Sequence, residues 1–94
     1  MPVARRIVDA RERQRIVVSG QIIATESTIV GTSPSYCCEL DDTTGVIGLW
    51  FIGRERVAGL TEGSWCTIEG TVQERRSRLI VWNPIYRLFW IDLT

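Results

Sequence analysis

Glycines interrupt two of the β-branched runs in this chain, and this narrows the possible folds more than any other feature. Residues 15–27, RIVVSGQIIATES, read as one long strand with Gly20 in its middle. Residues 65–73 alternate Cys66, Ile68, Gly70 and Val72 with Thr67, Glu69 and Thr71. An interior glycine weakens a strand and marks a bulge or a sharp bend. Two bent strands in 94 residues point to a small, sharply coiled barrel.

The remaining segments fit that idea. TIVGTSPS, residues 28–35, reads as a loop, and residues 36–41 as a second strand. Asp42-Thr43-Thr44-Gly45 is turn chemistry, with the aspartate capping its own backbone and glycine placed for a positive φ. The third strand is 46–52, with Ile47, Leu49 and Phe51 on one face and Val46, Gly48, Trp50 and Ile52 on the other. Residues 53–60 form a connector that can hold a short helix or turn, with Val57 and Leu60 spaced to face the core. A polar loop at 74–78 leads to a fifth strand at 79–82, which Asn83-Pro84 stops. Five strands with a short cap between the third and fourth have the layout of the OB-fold, a Greek-key barrel. A two-sheet sandwich, the competitor, usually takes about seven strands. The expected organisation is an N-terminal arm at 1–14, the barrel at 15–87, and an apolar tail at 88–94 that packs on the barrel or on a partner.

Composition closes several functional classes. There is no histidine, so a Ser-His-Asp triad and any imidazole zinc site are excluded. Cys37, Cys38 and Cys66 contain no C-x-x-C pair and read as reduced, mostly packed thiols. The 11 basic and 11 acidic residues cancel, so bulk charge indicates no polyanionic partner. All 11 basic residues are arginine, a planar fork suited to phosphate or to stacking. No apolar run approaches the ~20 residues of a membrane helix. The start of the chain is too polar for a secretory signal, so a cytoplasmic protein without a cofactor is expected.

Several spaced segments resemble a known group: VVSGQI (17–22), LDDTTGVIGLWF (40–51), GLTEG (59–63), IEGTV (68–72) and NPIY (83–86). Together they are similar to bacterial OB-fold nucleic-acid-binding domains of the tRNA-anticodon-binding type, a group that includes the wedge domain of the branch-migrating DNA helicase. The likeness is greatest to short stand-alone actinobacterial OB-fold proteins, which carry a similar G-R-x-R-x-x-G-[IL] stretch and an N-P-x-Y ending. It covers roughly residues 14–87. It implies binding of single-stranded or branched DNA, or of RNA, and no catalysis.

OB-folds bind strands across the face of their second and third strands, gripped by the loops after strands one and four. Trp50, on the outward side of the third strand, is the best candidate for stacking a base; the alternative is that it packs beneath the arm, the tail or a partner subunit. Tyr36 could stack a base at the start of the second strand, or be a half-buried edge residue. Trp65 and Trp82 read as structural residues closing the barrel ends. Arg75, Arg76 and Arg78 crowd the loop between strands four and five, and Arg54 and Arg56 follow the binding strand; charge runs of this kind are also ordinary solvated loops. Five arginines on a single strand would give a salt slope of about −3.5. Glu39, Asp41 and Asp42 oppose this reading, and a uniform mix of arginine and carboxylate around Trp50 would sink it. Those carboxylates could in principle hold Mg²⁺, yet turn chemistry accounts for Asp42, and no catalytic constellation is present. The rival function is a protein-interaction or oligomerisation module, because Leu88, Phe89, Trp90 and Ile91 are apolar on successive positions and need cover.

Overall fold

Alternation decides which way each strand faces, and the computed structural model follows it closely. The structure describes residues 3–90. A 3-10 turn (Ile7–Asp9) precedes six strands: β1 (Arg15–Val30), β2 (Ser33–Asp41), β3 (Val46–Ile52), β4 (Trp65–Arg75), β5 (Arg78–Trp82) and β6 (Ile85–Phe89). β1 pairs antiparallel with β2 and also with β4, β2 pairs with β3, and β5 bridges β3 (parallel) to β4 (antiparallel). That ring of five is a closed OB-fold barrel. Ile47, Leu49 and Phe51 point inward and are buried with Ile16, Val18, Leu40, Ile68, Val72 and Val81. Burying each large apolar side chain is worth about 1.5–3 kcal/mol.

Gly20 marks the place where β1 leaves β4 for β2. It pairs with Cys66, while its neighbour Gln21 pairs with both Trp65 and Asp41. A Cβ at Gly20 would stand 2.4 Å from the Asp41 carbonyl oxygen, so only glycine lets the strands approach this closely. The irregularity in pairing comes two residues later, between Ile22 and Ala24.

Two expectations are revised and one is met. Residues 28–35 are not an eight-residue loop: β1 and β2 continue as a ribbon to Val30 and Ser33, joined through Gly31 and Thr32. Gly31 has φ +63 and Thr32 is not in the positive region, which is the II′ pattern that extends a hairpin's twist. The connector carries turns, one of the two forms expected, and Val57 and Leu60 are buried as their spacing predicts, held by a Leu60 N–H to Val57 C=O bond of 3.1 Å. The start of the presumed tail is a sixth strand: β6 pairs with β4 from Trp65↔Phe89 to Glu69↔Ile85. Its Tyr86 meets Phe51 edge-on at 5.8 Å and donates to the Ala58 carbonyl at 3.1 Å. Residues 91–94 of that tail, Ile91 among them, lie outside the described residues.

The arm also does more than its composition suggests. Ala4, Ile7 and Ala10 are buried in the core. Asp42 accepts at 2.8 Å from the Ile7 N–H, and also from the Thr44 N–H (2.9 Å), the Thr44 hydroxyl (2.6 Å) and the Gly45 N–H (3.1 Å). Partial burial pushes its carboxyl upward, but those four hydrogen bonds outweigh that and hold it below the usual aspartate value. A depressed folded-state pKa stabilises the fold above the unfolded value of about 3.9, and the gain disappears as pH falls through the folded value. We therefore expect Asp42→Ala to lower stability at pH 7 by about 1–2 kcal/mol, hydrogen bonds to a charged group being discounted for solvent access. In urea titrations across pH, the gap to the unmodified chain should close below about pH 4. Asp42→Asn, which keeps the Oδ1 acceptor but offers Ile7 a donor, should fall between the two.

Candidate nucleic-acid interface

On the outward side, β3 presents Val46, Gly48 and Trp50 as the floor of an open groove of about 1200 Å³. The β1–β2 ribbon forms one wall, lined by Glu26, Thr28, Cys37 and Glu39, and the β4–β5 hairpin forms the other, lined by Arg75, Arg76, Arg78 and Ile80. Charge is thus sorted by wall, not mixed around Trp50. The walls meet at Arg78 and Glu39, whose charged groups are 3.7 Å apart, the arginine exposed and the glutamate partly so; such a pair contributes little.

Trp50 is half-buried, and a small residue explains how it lies. A Cβ at Gly48 would be 2.9 Å from Ile80 Cγ2 and 3.3 Å from Trp50 Nε1. The Ile80 methyl and the indole edge share the space that a side chain at 48 would fill. Arg75 Cζ sits 5.0 Å from the indole centroid, within cation–π range. The turn that carries the arginines is strained: Arg76 and Ser77 have φ 51° and 66°, a I′ turn for which asparagine–glycine is the usual pair. Each left-handed non-glycine residue costs roughly 1–2 kcal/mol, and the strain places a guanidinium at the hairpin tip, on the rim of the groove.

The candidate residues therefore separate. Trp50, Arg75, Arg76 and Arg78 converge on the groove. Tyr36 does not: it shares the inward side of β2 with Cys38 and Leu40, and its hydroxyl donates to the Leu60 carbonyl at 2.5 Å. Arg54 and Arg56 are exposed on the connector and do not line the groove. The parallel β3–β5 register explains this, since Gly48 pairs with Ile80 and Trp50 with Trp82. The arginine hairpin consequently lies at the start of β3, whereas Arg54 and Arg56 follow its end. Gly48 was not anticipated; the alternation of β3 places it outward beside Trp50, but only the parallel partner reveals what fills its space.

The thiols are poorly suited to chemistry. Burial, with the neighbouring Cys66 and Cys37 thiols adding to it, pushes the Cys38 thiol up to about 12. Burial pushes Cys66 to about 11. Cys37, in the groove, is raised by burial and by Glu26. Among the described residues no cluster of three His, Cys, Asp or Glu side chains could hold a metal ion, and no helix is long and apolar enough to cross a membrane.

No protein-family model matches the chain, and no curated protein is similar to it in sequence. Among solved structures it is similar to the OB domain of Ta0387 from Thermoplasma acidophilum, with a TM-score of 0.69 at 14% identity over 98% of this chain and 91% of that one. At that identity the likeness speaks to the fold alone, which is the OB-fold.

Proposed function

We infer that the chain is a non-catalytic module that binds single-stranded or branched nucleic acid, DNA or RNA, in the groove over β3. The observation that carries this is the Trp50–Arg75 stack flanked by Arg76 and Arg78. Single-strand sites combine a positive track for the backbone with an aromatic platform for bases. A base can stack on the guanidinium plane or take its place on the indole; either way the Arg75 charge stays in the groove for a phosphate. The resemblance to tRNA-anticodon-binding and helicase-wedge domains, and to stand-alone actinobacterial OB-fold proteins, supports the same reading. Trp50→Ala should weaken binding of a labelled oligonucleotide at low salt by about 1–3 kcal/mol, read by fluorescence anisotropy. An unchanged affinity in a folded variant would remove Trp50 from the site.

A second reading, a homo-oligomer or protein contact, has its own observation. Among the described residues no strand pairs with the outer edge of β6, where Ile85, Leu88 and Trp90 are exposed. The molecular mass in solution tests it, and a stable oligomer together with no oligonucleotide binding would favour it.

A further inference from the structure

Trp82 ends β5 beside Trp50 and is one of the large apolar side chains that the barrel leaves exposed. The parallel register pairs Trp50 with Trp82 directly, so both side chains leave the same outward face of the sheet. That pairing is locked by Asn83, whose N–H donates to the Trp50 carbonyl at 2.7 Å while its Oδ1 accepts from the Ile52 N–H at 2.9 Å. Asn83 adopts φ 48° to make the clamp, a left-handed conformation that asparagine tolerates better than most residues. The two indoles differ in one respect. Trp50 is half-buried with a guanidinium over its ring, whereas Trp82 is 43% exposed.

We propose that Trp82 is a second base-stacking platform, extending the single-strand path from the arginine hairpin across Trp50 to the end of β5. This rests on the reading of the groove as a nucleic-acid site. The occupant is single-stranded, because two side-by-side platforms on one sheet face require consecutive unpaired bases whose faces are free. Charge agrees: Arg75 and Arg78 pair across the β4–β5 hairpin and share the outward face of Ile80 and Trp82. From Arg78 to Trp82 is four residues along a strand, about 13 Å, which places the path at the short end of the ~4–16 nucleotides an OB-fold covers. Phosphates at the hairpin and bases on the two side-by-side indoles then share one face of the β3–β5 pair.

The experiment is a length series of 5′-labelled oligothymidylates, about 4 to 16 nucleotides, titrated against the unmodified chain and the Trp50→Ala, Trp82→Leu and Trp82→Phe variants, with thermal melts of each. Leucine keeps apolar bulk and removes the π face; phenylalanine keeps a smaller one. Trp82→Leu should bind the longer oligomers about 5- to 150-fold more weakly, lose the gain in affinity that the unmodified chain shows on lengthening, and be largely rescued in Trp82→Phe. If Trp50→Ala weakens binding while Trp82→Leu matches the unmodified chain at every length, the second platform is wrong and the groove reading survives. Should both folded variants bind as the unmodified chain does, the two readings fail together. A loss that is equal in Trp82→Leu and Trp82→Phe and tracks a lower melting temperature assigns Trp82 to the fold and overturns the proposal.

Discussion

Gly20→Ala should destabilise the barrel by roughly 3 kcal/mol or more, at or beyond the top of the usual range for over-packing. The added methyl would meet the Asp41 carbonyl oxygen at 2.4 Å and its carbon at 2.9 Å. Both atoms belong to backbone, so no rotamer change relieves the clash; β1 and β2 must separate. They would separate where β1 exchanges β4 for β2, which is where the ring closes and where the ribbon wall of the groove begins. A domain of this size has only about 5–14 kcal/mol of stability to lose. Urea denaturation measures the effect, and Gly53→Ala is the control. Gly53 has φ +83 with nothing within 4 Å of an added Cβ, so its cost is the left-handed conformation alone, about 1–2 kcal/mol. A Gly20→Ala variant no less stable than Gly53→Ala would mean that the close approach at the strand exchange does not govern stability.

The contrast between those two glycines also shows what a sequence displays and what it hides. Gly20 was conspicuous because it broke a β-branched run, and the inward set Ile47, Leu49 and Phe51 was readable from period two alone. Both signals are local. The misjudged segments depend on partners far along the chain. Thr28 to Ser35 contains Gly31, Pro34 and two serines, the vocabulary of a loop, but antiparallel pairing carries it out as a ribbon in which Pro34 opposes Ile29. A two-stranded ribbon has outer edges, and there a proline's missing N–H costs nothing. Ile85 to Phe89 lacked alternation because β6 lies on the outside of the barrel against β4, with only Tyr86 reaching the core cluster. The arm seemed poor in anchors because alanines bury little area; it is held also by partners far along the chain, the Asp42 carboxylate 35 residues from Ile7 and the Val72 carbonyl that accepts from the Arg13 N–H at 2.7 Å.

The candidate site divided along the same line. Trp50 could be assigned to the outward face from its own strand. Whether Arg54 and Arg56 joined it depended on strand polarity and the path of the connector, neither of which is written locally, whereas Tyr36 could have been excluded by alternation alone. Tyr36 follows the inward parity of Cys38 and Leu40, and a hydrogen bond to Leu60 ties it to the core side. Trp82 was read as closing a barrel end, and its neighbour could not be seen from its own strand. A tryptophan before Asn-Pro looks like an end cap, and only the parallel β3–β5 pairing sets it beside Trp50.

Replacing Arg75, Arg76 and Arg78 together by alanine should weaken oligonucleotide binding by about a hundredfold at 0.1 M salt. Each phosphate contact on a single strand contributes a salt slope of about −0.7, so three give about −2.1 per tenfold change in salt. Taking ~1 M as the concentration at which this contribution vanishes, the same arithmetic assigns it about two decades of affinity at ~0.1 M. The slope is the more diagnostic quantity. The five arginines near the binding strand would have predicted about −3.5, but the groove gathers three, so a slope near −2 in the unmodified chain and near zero in the triple variant is expected. The substitutions should leave the fold intact, because all three side chains are exposed and the one ion pair they make among the described residues, Arg78 with Glu39, is a loose surface contact. Arg54→Ala/Arg56→Ala supplies the internal comparison: it removes two positive charges from the same small protein at positions off the groove. If that double variant flattens the slope as much as two groove arginines do, net charge governs binding and the groove does not. If only the hairpin variant flattens it, the phosphates lie along β4–β5, on the wall opposite Glu26 and Glu39, and the acidic ribbon keeps the backbone of the bound strand on the arginine side.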